Sequence, residues 1–517
     1  MQPEANVTTG RPLGAGAWAI GSRLIAKVID LAMLLCLARF LGPSEFGLVA
    51  VAMAAVFVVE ALFELPTAAA LIRLPTLTPA LLNTAFTLGL IRGFLVSFLL
   101  LLTSVPLASF NNDSRLIGLI AVLSLAPALR GLVSPSLVEY TRRLDFRPDA
   151  VLELSGKLLA FGAAISVAVY TRSYWAIAAA TVCAPLVSTL LSYVVAPLRP
   201  RLTLKHWGDF SNLIGWNFLA QLCSALNWQI DRILLPRFNS IGAFGQYAMA
   251  KQVSEIPIQA LVAPLSRPTM AALASAGNSQ GVRYLHISQA VSMMLVPVLG
   301  VPILWPEALI KIGLGPAWTT ASEWLRWISA VTVISIPAML LGPLAMTLNR
   351  TRWLATRTAI ELIVRAPLVW IGAVYYGIPG AIAGGAIANL SGSIIGVYAV
   401  RSLVGVSYLS QLMALCRPLL ALMPAAGILW FAKIHIPSDT NFLQFLLFTS
   451  VCIVLYLLVY LLATILIWFS VGRPKGVEKF LIDKVCGMRT RGASSQCQRE
   501  ATLQLKRIPV RDAKIKG

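Results

Sequence analysis

The strongest constraint on this chain is a series of about fourteen apolar stretches long enough to cross a bilayer, several with charged residues near their centres. The first one sets the pattern. It runs from Trp18 through Arg23, Lys27 and Asp30 to an apolar end at Leu41. Spacings of four and three put these charges on one helical face. A charge at the bilayer centre costs about 2.5–3.5 kcal/mol on insertion scales. That face must therefore line a protein interior or a wet cavity, and the expected fold class is an all-α polytopic membrane protein with a polar lumen.

Composition agrees. The chain is 58% hydrophobic and 12% charged, against about 45–50% and 25% in soluble domains. A net charge of +21 would suggest nucleic acid in a soluble protein. Here the basic residues sit mainly in short loops between apolar spans, where they set orientation, and no nucleic-acid partner is expected. Spans are expected near 16–41, 45–70, 81–104, 115–137, 150–170, 173–196, 211–236, 242–264, 286–312, 322–347, 353–376, 379–400, 411–433 and 441–471. Alternate connections are basic, carrying Arg73, then Arg142, Arg143 and Arg147, then Arg199, Arg201 and Lys205, and later Arg350, Arg352 and Arg357. The positive-inside rule then puts both termini in the cytoplasm. The outer connections are too short for an extracytoplasmic catalytic domain, and an enzyme is not expected.

Seven cysteines occur, none in a C-x-x-C pair, and most lie inside apolar spans. His206, His286 and His435 are scattered. No phosphate-binding loop or nucleophile pair is present. No metal or cofactor is expected beyond a coupling ion, H+ or Na+.

Two motifs recur about 200 residues apart. Arg39-Phe40 with Phe46-Gly47 reappears as Arg237-Phe238 with Phe244-Gly245, at the same internal spacing. Glu153 and Lys157 reappear as Glu361 and Arg365, each a Glu with a base four residues on. The implied organisation is a cytoplasmic segment 1–15, six-helix lobes over 16–200 and 201–402, two further transmembrane helices in 403–471 and a basic cytoplasmic tail, 472–517. An even number of spans per lobe relates the lobes by a pseudo-two-fold along the membrane normal, with a site at their interface.

Arg23, Lys27, Arg92, Arg130, Arg232 and Lys251 are the candidates for holding an anionic head group: all are cations, and the guanidinium of the arginines offers phosphate a fixed fork of donors. Asp30, Glu60, Asp231 and Glu255 are candidates for ion coupling. If the first two spans form a close hairpin at Pro43, Lys27 falls level with Glu60 and Arg23 with Glu64, giving two predicted ion pairs. Asp30 is left without a local base. Gln221, Asn227, Gln229, Gln246, Tyr247 and Gln252 could bond sugar hydroxyls or bridge helices. Trp207, Trp216, Trp318, Trp324, Trp327 and Trp353 fall near span ends, as interfacial anchors do.

The run Leu37-Ala38-Arg39-Phe40-Leu41-Gly42-Pro43-Ser44-Glu45-Phe46-Gly47-Leu48 resembles the first outer turn of bacterial polysaccharide-transport flippases. Tyr140-Thr141-Arg142-Arg143-Leu144-Asp145-Phe146-Arg147, leading to Glu153 and Trp175-Ala176, is similar to the same family. The likeness spans about residues 15–470 and points to the succinoglycan- and colanic-acid-type branch of the multidrug/oligosaccharidyl-lipid/polysaccharide superfamily. It implies flipping of a polyprenyl-pyrophosphate-linked oligosaccharide across the bacterial inner membrane by alternating access. The implied partners are that lipid-linked oligosaccharide, membrane lipids and polysaccharide polymerase or export machinery. Three alternatives stay open: a drug or organic-cation antiporter of the same superfamily, a membrane polysaccharide polymerase, and a lipid II flippase.

Overall fold

The computed structural model describes residues 11–64, 67–74, 76–211, 215–435 and 441–470. The tail 472–517, with Cys486 and Cys497, and the side chain of Trp216 lie outside the described residues. Among the described residues the chain is helical with no strand. The principal helices are α1 (Arg11–Phe40), α2 (Pro43–Leu62), α3 (Pro79–Asn111), α4 (Arg115–Leu123, then Leu125–Gly131), α5 (Arg147–Thr171) and α6 (Trp175–Val195). They continue with α7 (Gly215–Phe238), α8 (Ile241–Pro257), α9 (Gln280–Leu304) and α10 (Ala321–Ser335). Arg352–Val404 is one helical run that turns back at Gly377 (φ 62°), giving α11 (352–376) and α12 (378–404). The last two are α13 (Tyr408–Ile434) and α14 (Phe442–Ser470). Nine described helices are long and apolar enough to cross a membrane. The chain is a multi-pass membrane protein. α1, α4, α7 and α8 miss that standard because they are broken, short or charged.

The breaks follow proline. The second span was expected to reach residue 70, but α2 ends at Leu62 and a separate short helix covers Thr67–Arg73. Pro66 stands between them in the sequence, and a residue before proline is pushed out of the helical region. α4 breaks at Ser124 because Pro127 clashes with the carbonyl four residues back. Ser97 of α3 donates to the Ser124 carbonyl at the break, at 2.5 Å. The ninth span stops at Leu304, and Pro306 starts a new short helix to Gly313.

Packing divides the helices unevenly. α5 packs on α6 and on α1, and α3 packs on α4. α7 packs on the α11–α12 hairpin, α8 on α10, and α13 bridges α9 to α14. α2 leaves the α1 it follows and packs on α7 and α8. This overturns the close α1–α2 hairpin read from the sequence.

The end of the bundle that holds the Pro43 turn is sealed by contacts between the two halves of the chain. α2 and α8 cross at Gly47 and Gly245. A Cβ on Gly47 would sit 3.1 Å from the Gly245 nitrogen, and one on Gly245 would overlap the Pro43 carbonyl. These are the glycines of the repeated Phe-Gly motif. The repeated arginines act reciprocally. Arg39 donates to the Ile312 carbonyl at 2.7 Å, and Arg237 to the Phe110 carbonyl at 3.0 Å. Each therefore neutralises the C-terminal end of a helix in the opposite half. Trp318, expected as an interfacial anchor, is instead fully buried here and donates to the Ala38 carbonyl at 2.8 Å. In the nearby turn Arg115 hydrogen-bonds Asp113 at 2.7 Å and holds its carboxyl below the usual range.

Gly245→Val should force α2 and α8 apart, since overpacking costs about 1–3 kcal/mol. Thermal unfolding in detergent checks this, and a melting temperature equal to wild type would refute the crossing.

Candidate functional site: two polar cavities

Each half of the chain forms a cavity whose wall carries charged side chains. The N-terminal one measures about 360 Å³ and lies between α2, α3, the second piece of α4 and the short helices Thr67–Arg73 and Leu137–Arg142. α3 and α4 meet there through glycine: a Cβ on Gly93 would lie 2.8 Å from the Pro127 carbonyl and 3.2 Å from the Gly131 Cα. Arg92 and Arg130 immediately precede Gly93 and Gly131. The crossing thus roots two guanidinium groups at one wall. Arg130 bonds Glu60 of α2. Arg92 makes no ion pair among the described residues, and its buried Nε has no partner. Asp149, also in the wall, accepts from Thr141 at 3.3 Å. The Arg130 and Glu60 side chains are 46% and 19% exposed, so the pair itself contributes only about 0–1 kcal/mol.

The C-terminal cavity measures about 390 Å³ and is lined from α7, α8, α10, α11 and α12. Its centre is Asp231. Oδ2 accepts from Lys251 Nζ at 2.7 Å and from the Tyr247 hydroxyl at 2.9 Å, and Arg365 stands at 3.9 Å. Arg365 also donates to Glu361 at 2.9 Å and to Asn389 at 2.5 Å. Asp231 Oδ1, Asn227 Oδ1 and the Nε atoms of Arg357 and Arg365 are buried without partners among the described residues. Such groups are costly unless water or a ligand meets them. Asp231, Glu255 and Glu361 face Lys251, Arg357 and Arg365 in this wall, and Glu60 and Asp149 face Arg92 and Arg130 in the other. Neither lining is net acidic.

The charges of α1 behave differently from expectation. Lys27 and Arg23 pair with neither Glu60 nor Glu64. Lys27 donates to Gln259 at 3.1 Å, Glu64 accepts from Gln221 at 2.7 Å, and Arg23 is exposed with no ion pair among the described residues. The reason is the divergence of α1 from α2. Asp30 is not left without a base: Lys157 of α5 bonds both its oxygens at 2.5 Å. Sequence reading missed this role of Lys157, yet the signal was present. Lys157 and Arg365 hold matching places in the repeat, and each meets an acid on the first helix of its half, Asp30 or Asp231. Arg357 was read as a loop residue and instead lines the C-terminal cavity. Arg232 bonds Gln229 at 3.4 Å and is absent from that lining, whereas Lys251 and Glu255 belong to it. Gln246 serves structure, joining Ala317 and Ala321.

Removing one partner of a buried charge cluster leaves the others uncompensated and costs about 3–5 kcal/mol. Asp231→Ala should therefore lower stability by that order, and adding Lys251→Met should recover part of the loss. Thermal unfolding of the single and double variants checks it, and additive losses would contradict the cluster.

Comparison with known proteins follows the same lines. Residues 36–323 match the family model described as "Polysaccharide biosynthesis protein". The lipopolysaccharide biosynthesis protein WzxC of Escherichia coli (strain K12) is 20% identical over 437 residues, covering 80% of this chain and 86% of that protein. The succinoglycan biosynthesis transport protein ExoT of Rhizobium meliloti (strain 1021) is 23% identical over 330 residues, covering 62% and 66%. Among solved structures, the lipid II flippase MurJ in an inward closed conformation superposes with a TM-score of 0.68 at 14% identity, covering 88% of this chain and 99% of that one. An inward-facing multidrug transporter of the MATE family, of the MOP superfamily, gives 0.57 at 15% identity, covering 74% and 94%. At these identities the superpositions speak for the fold. The family model spans more than half of the sequence, and the chain belongs to that polysaccharide biosynthesis protein family.

Proposed function

We propose that this protein flips a polyprenyl-diphosphate-linked oligosaccharide across the bacterial inner membrane by alternating access. The observation that carries the reading is the charge of the interior. Guanidinium groups line a cavity in each half, and neither lining is net acidic. An exporter of organic cations needs the opposite balance, so the antiporter reading has no support here. WzxC and ExoT are named for lipopolysaccharide and succinoglycan biosynthesis, which agrees with a sugar-bearing cargo.

In this reading the lobes are residues 16–200 and 201–402, and both termini face the cytoplasm. The sugar-diphosphate head travels in the polar interior while the prenyl tail stays in lipid. Lys27 and Glu64, each bonded across the halves, border the passage. Asp30 and Asp231 already hold Lys157 and Lys251. Glu255, which lines the C-terminal cavity and has no ion pair among the described residues, is the carboxylate left to exchange a proton. The membrane potential supplies about 2.3 kcal/mol per charge per 100 mV.

The test is reconstitution. With a labelled polyprenyl-diphosphate oligosaccharide in one leaflet of a liposome, the purified protein should speed its appearance in the other well above protein-free vesicles. A rate equal to protein-free vesicles would refute the reading. In cells, loss of the protein should strand single repeats on the inner leaflet. Single repeats displayed outside would point to a polymerase instead.

A further inference from the structure

Resting on that reading, we propose that the N-terminal cavity is a docking site for a lipid diphosphate, with Glu60 acting as a tethered competing anion. Two guanidinium groups at one wall match two phosphate groups. Their roots are fixed by the backbone contact at Gly93 and Gly131, where side chains larger than hydrogen do not fit. The spacing of the two cations therefore does not depend on flexible loops. A volume of about 360 Å³ admits a diphosphate but not the whole sugar chain, which must remain outside.

The state of the two arginines differs. Arg92 has no ion pair among the described residues and a buried Nε with no partner. Arg130 is occupied by the Glu60 carboxylate. A carboxylate presents to guanidinium the same pair of oxygens that a phosphate does. Glu60 thus fills half of the site while no head group is present. Its bond to Arg130 is open to solvent, and such a pair contributes little. A phosphate that engages Arg92 gains a cation with no competitor, and its neighbour can then displace Glu60 from Arg130. The released carboxylate and Asp149 repel a dianion already seated, which favours onward passage. Glu60 sits on α2, the helix that carries the Gly47 crossing with α8. Displacement therefore removes the Glu60–Arg130 link between α2 and α4 when cargo arrives, while the apolar packing of the two helices stays in place.

The experiment measures binding of farnesyl diphosphate to the purified full-length protein in detergent by calorimetry. Farnesyl monophosphate and inorganic pyrophosphate are the comparison ligands. Losing a charge-assisted contact changes affinity by about tenfold or more. Arg92→Gln and Arg130→Gln should weaken farnesyl diphosphate by that factor, and Glu60→Gln should tighten it by about the same factor. The monophosphate should bind more weakly than the diphosphate and lose the response to Glu60→Gln. Arg92→Lys, which keeps the charge, should restore part of the affinity. Retained thermal unfolding transitions identify folded variants, and Arg92→Lys provides the folded comparison where Arg92→Gln fails. Unchanged or weaker binding in Glu60→Gln overturns the competing role. Unchanged binding in Arg92→Gln overturns the site. Inorganic pyrophosphate binding as tightly as farnesyl diphosphate would assign the cavity to a free anion and overturn the lipid reading of it. If these variants bind as wild type does while the wild-type protein still flips lipid-linked sugar, the cavity proposal falls and the flippase reading survives.

Discussion

The cost of holding a charge away from water governs this structure. Every basic side chain placed deep in the bundle needs a carboxylate, a carbonyl or an open cavity, and the helices are arranged to supply one. Asp30 meets Lys157, Asp231 meets Lys251 and Arg365, and Glu60 meets Arg130. These bonds join helices that are distant in sequence, and they accompany the packing that the buried apolar surfaces set. α1 packs on α5, where Leu37 and Leu41 bury against Ala160 and Ala164 and Asp30 meets Lys157. α2, which shares no such pair with α1, is free to pack across the halves on α7 and α8.

Glycine and proline translate that pattern into shape. At Gly47–Gly245 and at Gly93–Gly131 the helices approach at backbone distance, a geometry that small residues permit in membrane proteins. One crossing joins the halves. The other sets the two arginines of the N-terminal cavity side by side. Prolines break α4 and the ninth span, and at the α4 break Ser97 bonds the Ser124 carbonyl. Irregular backbone at this depth is tolerated only where protein or water meets it.

Much of this was legible in the sequence, and the limits have physical causes. Apolar length located the helices because a bilayer demands about 20 residues of helix per crossing. The repeat was legible too: Gly47 meets Gly245, Arg39 and Arg237 reach across reciprocally, and Lys157 and Arg365 occupy matching ion pairs. Pairing was where sequence reading failed. It joined Lys27 to Glu60 and Arg23 to Glu64 on the assumption that a short turn at Pro43 keeps two helices together along their length. A turn fixes only where helices start, and direction is set by the surfaces each can bury. Arg357 was misread for a related reason. Basic residues near a span end read as loop residues, yet a long side chain one turn inside the helix reaches the cavity.

The two ends of the bundle are unequal in strength. At the Pro43 end the halves meet through backbone contact at glycines, a buried indole and two arginine–carbonyl bonds. Toward the opposite end the bonds across the halves described above are Lys27 to Gln259 and Glu64 to Gln221, between exposed side chains except for the half-buried Gln221. Each such bond is worth about 0.5–1.5 kcal/mol, somewhat more where one partner is charged. Parting the halves at that end therefore costs a few kcal/mol, which differential binding of a ligand can supply. Opening the Pro43 end also exposes Trp318 and the apolar surface around the glycine crossing. Rocking between the two states then requires a compensating contact at the far end, where Arg23 is exposed with no ion pair among the described residues.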